Sequence, residues 1–130
     1  MKRISITVLV LFALALNCQA ATVGQVLNAI RTVETGGKDI TGDNGAAIGP
    51  YQIHRSYWQD SGVAGKYEDC HDDAYSRKVI LAYWKRYCPK ALAAVDAQTL
   101  TRVHNGGGPK GATTKATVAY WLKVQKVLGK

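Results

Sequence analysis

Two carboxylates near the start of the chain, Glu34 and Asp43, are the residues best suited to chemistry. Glu34 lies at the end of a predicted helix, whereas Asp43 lies on a turn bounded by Gly42 and Gly45. Different backbone surroundings can give two carboxyl groups different pKa values. One group can then donate a proton while the other stays ionised, as acid-assisted cleavage of a glycosidic bond requires.

A helix must position Glu34, and the residues before it predict one. Thr22 is a suitable N-cap and Gly36-Gly37 a suitable stop. The apolar residues between them follow helical spacing: Val23, Val26, Leu27, Ile30 and Val33. Glu34 shares their face, so we expect it to be partly buried, with a raised pKa that suits a general acid. The alternative is a glutamate that reaches into water from a frayed last turn.

A small β-hairpin over residues 41–49 is expected to position Asp43. The pair Asn44-Gly45 is typical of a two-residue hairpin turn. Asp43 would lie there in a polar setting that keeps a carboxylate ionised. The alternative is that Asp43 serves only the turn, since Asp before Asn-Gly is common in loops.

Aromatic, amide and imidazole groups follow the hairpin and recur near residue 104. Sugar sites use aromatic faces for the rings and amides for the hydroxyls. The candidate substrate-binding residues are Tyr51, Gln52, His54, Trp58, His104 and Asn105. Tyr51 and Trp58 could equally be core residues, and His54 could be a surface residue.

The first twenty residues predict a secretory signal peptide. Lys2 and Arg3 precede an apolar run, and a small residue, Ala20, ends the segment. The main alternative is a lipoprotein acylated at Cys18, although Asn17 fits that site poorly. Residues 21–130 then form one domain with 15 Lys or Arg against 9 Asp or Glu, a net charge of +6. A basic exported protein suits an anionic polymer, but charge alone does not choose which.

The rest of the chain is predicted to be mostly helical, with one open question. Cys70 and Cys88 could pair in an oxidising compartment. A helix from Asp73 to Tyr87 would, however, span roughly 22 Å, and a disulfide needs Cα atoms within about 7 Å. Pairing therefore requires a break in that helix.

Three further segments follow the predicted helix. Residues 91–95 are expected to form a short helical piece, and Asp96 to cap a helix that ends at His104. Residues 104–111 then read as a long flexible turn without the spacing of a phosphate-binding loop. Thr113 or Thr114 should cap a last amphipathic helix that carries Val118, Trp121, Leu122, Gln125 and Leu128.

Taken together, the motifs resemble those of the invertebrate-type lysozymes, or destabilase family. The matching runs lie in the family's order at residues 33–37, 42–45, 49–53, 57–58, 83–87, 104–111 and 120–121. The resemblance implies a mainly α (α+β), lysozyme-like fold, in which several helices and a small β-hairpin flank a cleft. It also implies that Glu34 is the general acid and Asp43 the nucleophile or stabiliser. Members usually contain many disulfides, unlike this chain.

These observations favour a secreted muramidase that hydrolyses the β-1,4 bond between N-acetylmuramic acid and N-acetylglucosamine. One alternative is a lytic transglycosylase, which uses a single catalytic Glu. Another is a non-catalytic, cationic, wall-binding antimicrobial protein. We expect peptidoglycan or chitooligosaccharides as partners and a monomer that is extracellular, or periplasmic in a Gram-negative source. No cofactor, metal, nucleic acid or stable membrane association is expected.

Overall fold

The computed structural model describes residues 19–129, which form a mainly helical fold with one small sheet. Most of the predicted signal peptide, residues 1–18, lies outside the described residues. The helices are α1 (Val23–Thr35), α2 (Arg55–Ser61), α3 (Asp73–Tyr87), α4 (Pro89–Ala94), α5 (Ala97–Gly106) and α6 (Val118–Leu128). Within the described range, none of these helices is both long and apolar enough to cross a membrane.

Helix α1 begins and ends where the sequence predicts. The Thr22 hydroxyl accepts from the Gln25 amide, and the Gln25 side chain accepts from the Thr22 amide, which satisfies two free donors of the first turn. Gly36 ends the helix in the left-handed conformation, where a side chain would be strained. One face of α1 is buried, so Glu34 leaves the helix from the side that meets the core.

The predicted hairpin is present, but it differs in its turn and has a third strand. Strands β1 (Thr41–Gly42), β2 (Ala47–Ile48) and β3 (Ile53–His54) form an antiparallel sheet in chain order. Gly42 pairs with Ala47, so the loop between β1 and β2 has four residues. The expectation of a two-residue Asn44-Gly45 turn was wrong, because Asp43, Asn44 and Gly45 all adopt positive φ in a single 3-10 turn.

The core lies between the sheet and helices α1, α3 and α5. Its largest fully buried side chains include Trp84, Tyr51, Ile30, Ile53 and Leu100. Helix α3 follows the predicted bounds, with Asp72 accepting from the Tyr75 amide as its N-cap. Helix α2 had not been predicted.

Cys70 and Cys88 are both free thiols. Helix α3 runs unbroken between them, so the fold-back that a disulfide would require does not occur. Burial raises the pKa of the Cys70 thiol to about 12 and that of Cys88 to about 11, which keeps both in the unreactive protonated form. The described domain is therefore held together by packing and hydrogen bonds.

The segment after α5 is a packed structure and not the flexible turn predicted for residues 104–111. Helix α5 continues through Gly106, beyond the predicted end at His104, and Pro109–Ala112 forms a 3-10 helix against it. A Cβ at Gly106 would lie 2.5 Å from the Gly111 Cα, so the close approach requires glycine.

The last helix was also predicted incorrectly in two respects. It begins at Val118, after a 3-10 turn at Lys115–Thr117, so neither Thr113 nor Thr114 is its cap. Its most buried residue is Val124, whereas Val118 and Leu122 are exposed. Helix α6 packs against α1 and α5 through the side that carries Val124.

Candidate active site

A cleft of about 210 Å³ brings together the two carboxylates singled out in the sequence. It lies between the end of α1, the sheet, α2 and the end of α5. The residues that line it are Glu34, Asp43, Ala47, Gln52, Ile53, His54, Tyr57, His104 and Asn105. Six of these are among the catalytic and substrate-binding residues predicted from the sequence.

Glu34 is largely buried, and its carboxyl group has one direct hydrogen-bond partner. The Tyr120 hydroxyl of α6 donates to Glu34 Oε1 at 2.7 Å. Burial raises the pKa of Glu34, whereas the Tyr120 hydrogen bond and, to a lesser extent, the positive fields of His54 and Lys123 act in the opposite direction. Because burial prevails, the predicted partial burial and raised pKa of Glu34 are confirmed, and the alternative of a solvated glutamate is excluded.

Asp43 has the opposite environment. Its side chain is 64% exposed, and its Oδ2 lies 3.3 Å from Nε2 of His54 on β3. The positive φ of Asp43, +51°, is uncommon for a residue other than glycine and directs the chain through the tight loop. The cleft therefore combines one desolvated carboxyl group with one solvated carboxylate.

Gln52 supports the loop that carries Asp43. Its side-chain amide donates to the backbone carbonyls of Ile40 and Gly49 at 3.0 Å each. The side chain lies against Gly42, where a Cβ would be 2.1 Å from Gln52 Oε1. The amide that was predicted to bind sugar hydroxyls is thus occupied in holding β1, although Gln52 still lines the cleft.

His104 and Tyr57 form the inner wall of the cleft. His104 Nδ1 lies 3.0 Å from the Tyr57 hydroxyl, and the Tyr57 ring stacks on Tyr83 at 3.7 Å. Burial lowers the pKa of His104 to about 4, so its ring is neutral at neutral pH. Asn105, the next residue, is exposed at the mouth of the cleft.

Tyr51 and Trp58 are not brought to the cleft. Tyr51 is completely buried, so the prediction that it contacts substrate was wrong and its alternative as a core residue was right. Trp58 is partly buried and donates its indole N–H to the Tyr75 hydroxyl at 2.8 Å, away from the residues that line the cleft. Local sequence could not distinguish these packing aromatics from sugar-stacking ones.

A second groove, of about 340 Å³, continues from the cleft. It shares His54, Tyr57, His104 and Asn105 with the cleft, and extends it past Asp60 on α2. The two together form a depression larger than the cleft alone. As for metals, no three His, Cys, Asp or Glu side chains among residues 19–129 are grouped as ligands.

Tyr120 is the site residue that sequence reasoning missed. It is 86 residues from Glu34 in the chain, so no spacing rule connects them. The sequence signal is the Tyr120-Trp121 pair, which matches a family motif but indicates no role for the tyrosine.

Comparison with known proteins identifies the family. The Destabilase family model matches residues 23–127. A lysozyme of Magallana gigas is 29% identical over 97% of this chain and 95% of its own length. A lysozyme of Ostrea edulis is 40% identical, but the match covers only 61% of this chain and 58% of the relative.

Solved structures give the same result. The Tapes japonica lysozyme superposes with a TM-score of 0.68 at 32% identity, covering 78% of this chain and 87% of that one. The Meretrix lusoria lysozyme, in complex with the Aeromonas hydrophila protein PliI, gives a TM-score of 0.66 at 27% identity over the same shares. The fold, the two-carboxylate cleft and these relatives define a glycoside hydrolase of the lysozyme class. The chain belongs to the destabilase family, the invertebrate-type lysozymes.

Proposed function

We propose that this protein is a secreted muramidase that hydrolyses the β-1,4 bond between N-acetylmuramic acid and N-acetylglucosamine in peptidoglycan. The observation that carries the proposal is the pair of unlike carboxyl groups in one cleft. Burial raises the pKa of Glu34, while Asp43 is exposed and lies beside His54. Acid-assisted glycoside cleavage uses two carboxyl groups in unlike environments.

In this mechanism Glu34 protonates the glycosidic oxygen as the bond breaks. Burial raises the pKa of Glu34, which favours the protonated form that a general acid needs. The Tyr120 hydroxyl, which donates to Oε1, leaves Oε2 as the carboxyl oxygen free to face the cleft. Since Tyr120 occupies Oε1, we assign proton donation to Oε2.

Asp43 acts on the opposite side of the sugar, as the nucleophile or the stabiliser of the positive charge at the anomeric carbon. The Gln52 amide and the tight loop hold it at the cleft. If Asp43 acts in this way, the configuration is retained, and the first product seen by proton NMR with a chitooligosaccharide is the β anomer. An initial α anomer would exclude the role.

A lytic transglycosylase is the alternative with the same acid. It needs no second carboxylate, so the presence of Asp43 in the cleft favours hydrolysis. Mass spectrometry of digested peptidoglycan separates the two reactions, because 1,6-anhydro ends would identify transglycosylation.

The main test is the clearing of bacterial cell walls by matched variants. Glu34→Gln keeps the shape but cannot donate a proton, and should lower the rate by at least about 100-fold. Glu68→Gln is its control, since Glu68 is an exposed carboxylate paired with Arg55 outside the cleft. A folded Glu34→Gln protein with more than a few per cent of wild-type activity would contradict the assignment.

Asp43→Asn should also remove most of the activity. Its control is Asp39→Asn, because Asp39 forms a similar exposed pair with His71, at 2.6 Å, outside the cleft. If Asp43→Asn were as active as Asp39→Asn, Asp43 would be a turn residue only. Export and cleavage after Ala20 are tested by N-terminal sequencing of the mature protein.

A further inference from the structure

The positive charge of this chain is concentrated in its last third. Residues 21–96 carry nine Lys or Arg and nine Asp or Glu, so their formal net charge is zero. Residues 97–130 carry six Lys or Arg and no acidic residue. The whole excess of +6 predicted for the mature chain therefore comes from the segment that contains α5 and α6.

The side of α6 that faces away from the core also exposes apolar groups. Among residues 19–129, four large apolar side chains are exposed, and three of them are on α6: Val118 (40%), Leu122 (56%) and Val127 (46%). Val118, Leu122 and Lys126 follow one another at four-residue intervals, so they lie along one side of the helix. Val127 lies nine residues after Val118, half a turn away, and lines a groove against α1. We call the remaining surface the α6 outer face, and define it by Val118, Leu122, Lys123 and Lys126.

The outer face is separate from the face that holds α6 in the fold. Val124 is fully buried, and Tyr120 and Trp121 pack against the core on the same side. The apolar groups of the outer face are therefore not needed for packing. Lys115, in the turn just before α6, is exposed and adds a further positive charge.

Charge and apolar exposure together select among three possible occupants. An anionic wall polymer would pair with the lysines but would gain little from Leu122. A second copy of the chain would cover the apolar groups but would bring lysines against lysines. An anionic lipid surface satisfies both, because the apolar side chains enter the headgroup boundary while the lysines remain among the phosphates.

We propose that the α6 outer face binds anionic phospholipid surfaces, with the helix lying in the plane of the headgroups. This contact is reversible and salt-sensitive, and requires no membrane-spanning helix. It goes beyond the proposed hydrolysis and does not depend on Glu34.

Co-sedimentation with lipid vesicles tests the proposal. We expect binding to vesicles of phosphatidylglycerol and phosphatidylcholine at low salt, weaker binding at high salt, and none to pure phosphatidylcholine. Glu34→Gln should bind like the wild type. Absence of binding to the anionic vesicles would overturn the proposal.

Paired variants assign the binding to the outer face. Lys115→Gln with Lys126→Gln should weaken partition by roughly 10- to 30-fold, at about a factor of five per lysine. Lys78→Gln with Lys85→Gln removes the same charge from exposed positions on α3, and should have a much smaller effect. Equal losses in the two double variants would show that only total charge matters, and would contradict a binding face.

The apolar contribution separates lipid from other polyanions. Leu122→Gln leaves the charge unchanged and should weaken partition by about 3-fold or more. Ile40→Gln is its control, since Ile40 is 44% exposed but lies outside α6. If Leu122→Gln bound like Ile40→Gln while the lysine variant lost binding, the face would bind polyanions without lipid insertion, and the lipid assignment would be wrong. Circular dichroism of each variant checks that α6 still folds.

Discussion

Replacing Tyr120 by Phe tests how the acid of this site is controlled. The change removes one hydroxyl, and with it the 2.7 Å hydrogen bond to Glu34 Oε1. That bond favours the ionised carboxylate, so its loss should raise the pKa of Glu34 still further. The alkaline limb of the pH profile reports the pKa of the essential acid. We therefore expect this limb to move to higher pH in Tyr120→Phe.

The same substitution should have a pH-dependent effect on stability. A hydrogen bond to a charged group contributes about 1.5 to 3 kcal/mol, and one between neutral groups about 0.5 to 1.5 kcal/mol. The loss in unfolding free energy should thus be larger above the folded pKa of Glu34, where the carboxylate is ionised, than below 4.5, where it is neutral in both states.

The assays are wall clearing and urea unfolding, each across a pH series. Tyr67→Phe is the control, because the Tyr67 hydroxyl donates at 2.7 Å to the neutral carbonyl of Ile53. Its stability loss should not vary with pH, and its alkaline limb should not move. If a folded Tyr120→Phe protein kept the wild-type alkaline limb, Tyr120 would be a packing residue and our account of Glu34 would be refuted.

Three further predictions concern stability. His104 has a folded pKa of about 4 against 6.5 in the unfolded chain, so the unfolded state binds more protons between these two pH values. The free energy of unfolding of the wild type should therefore fall by about 3 kcal/mol as pH drops from 6.5 to 4. In His104→Gln, urea unfolding should show a weaker dependence of stability on pH in this range. The contribution of Glu34 to stability has the opposite pH dependence, because its raised pKa stabilises the fold fully below pH 4.5 and this stability is lost as pH rises through the folded pKa. Glu34→Gln should therefore be more stable than the wild type at neutral pH but not at pH 3. Equal melting temperatures at neutral pH would count against burial of the charge. Gly106→Ala places a Cβ 2.5 Å from the Gly111 Cα and should lower the free energy of unfolding by about 1 to 3 kcal/mol or more. Gly24→Ala is the control: its Cβ would lie 3.9 Å from the nearest atom, so calorimetry should show unchanged or higher stability.

The parts of the fold that sequence could predict are those fixed by local signals. Thr22 and Gly36 mark the ends of α1, and Asp72 marks the start of α3, because caps satisfy backbone groups within a few residues. The position of Glu34 on the apolar side of α1 followed from helical periodicity alone. Both carboxylates of the site were therefore found before the fold was known.

The incorrect predictions concern features that are determined by tertiary contacts. The buried side of α6 is set by how α1 and α5 meet it, so Val124 is buried although Leu122 is equally apolar. Residues 104–111 are rich in glycine because helix and turn touch, and composition alone resembled a flexible loop. Tyr51 illustrates the same limit, since an aromatic ring suits a core as well as a sugar.

The contact between Tyr120 and Glu34 has a consequence for biosynthesis. Glu34 belongs to the first helix of the domain and Tyr120 to the last, so the acid is completed only when α6 docks against α1. A ribosome-bound chain that has not yet released α6 would contain both carboxylates but lack the wall that excludes water from Glu34. Proteolytic removal of α6 would have the same result in the finished protein.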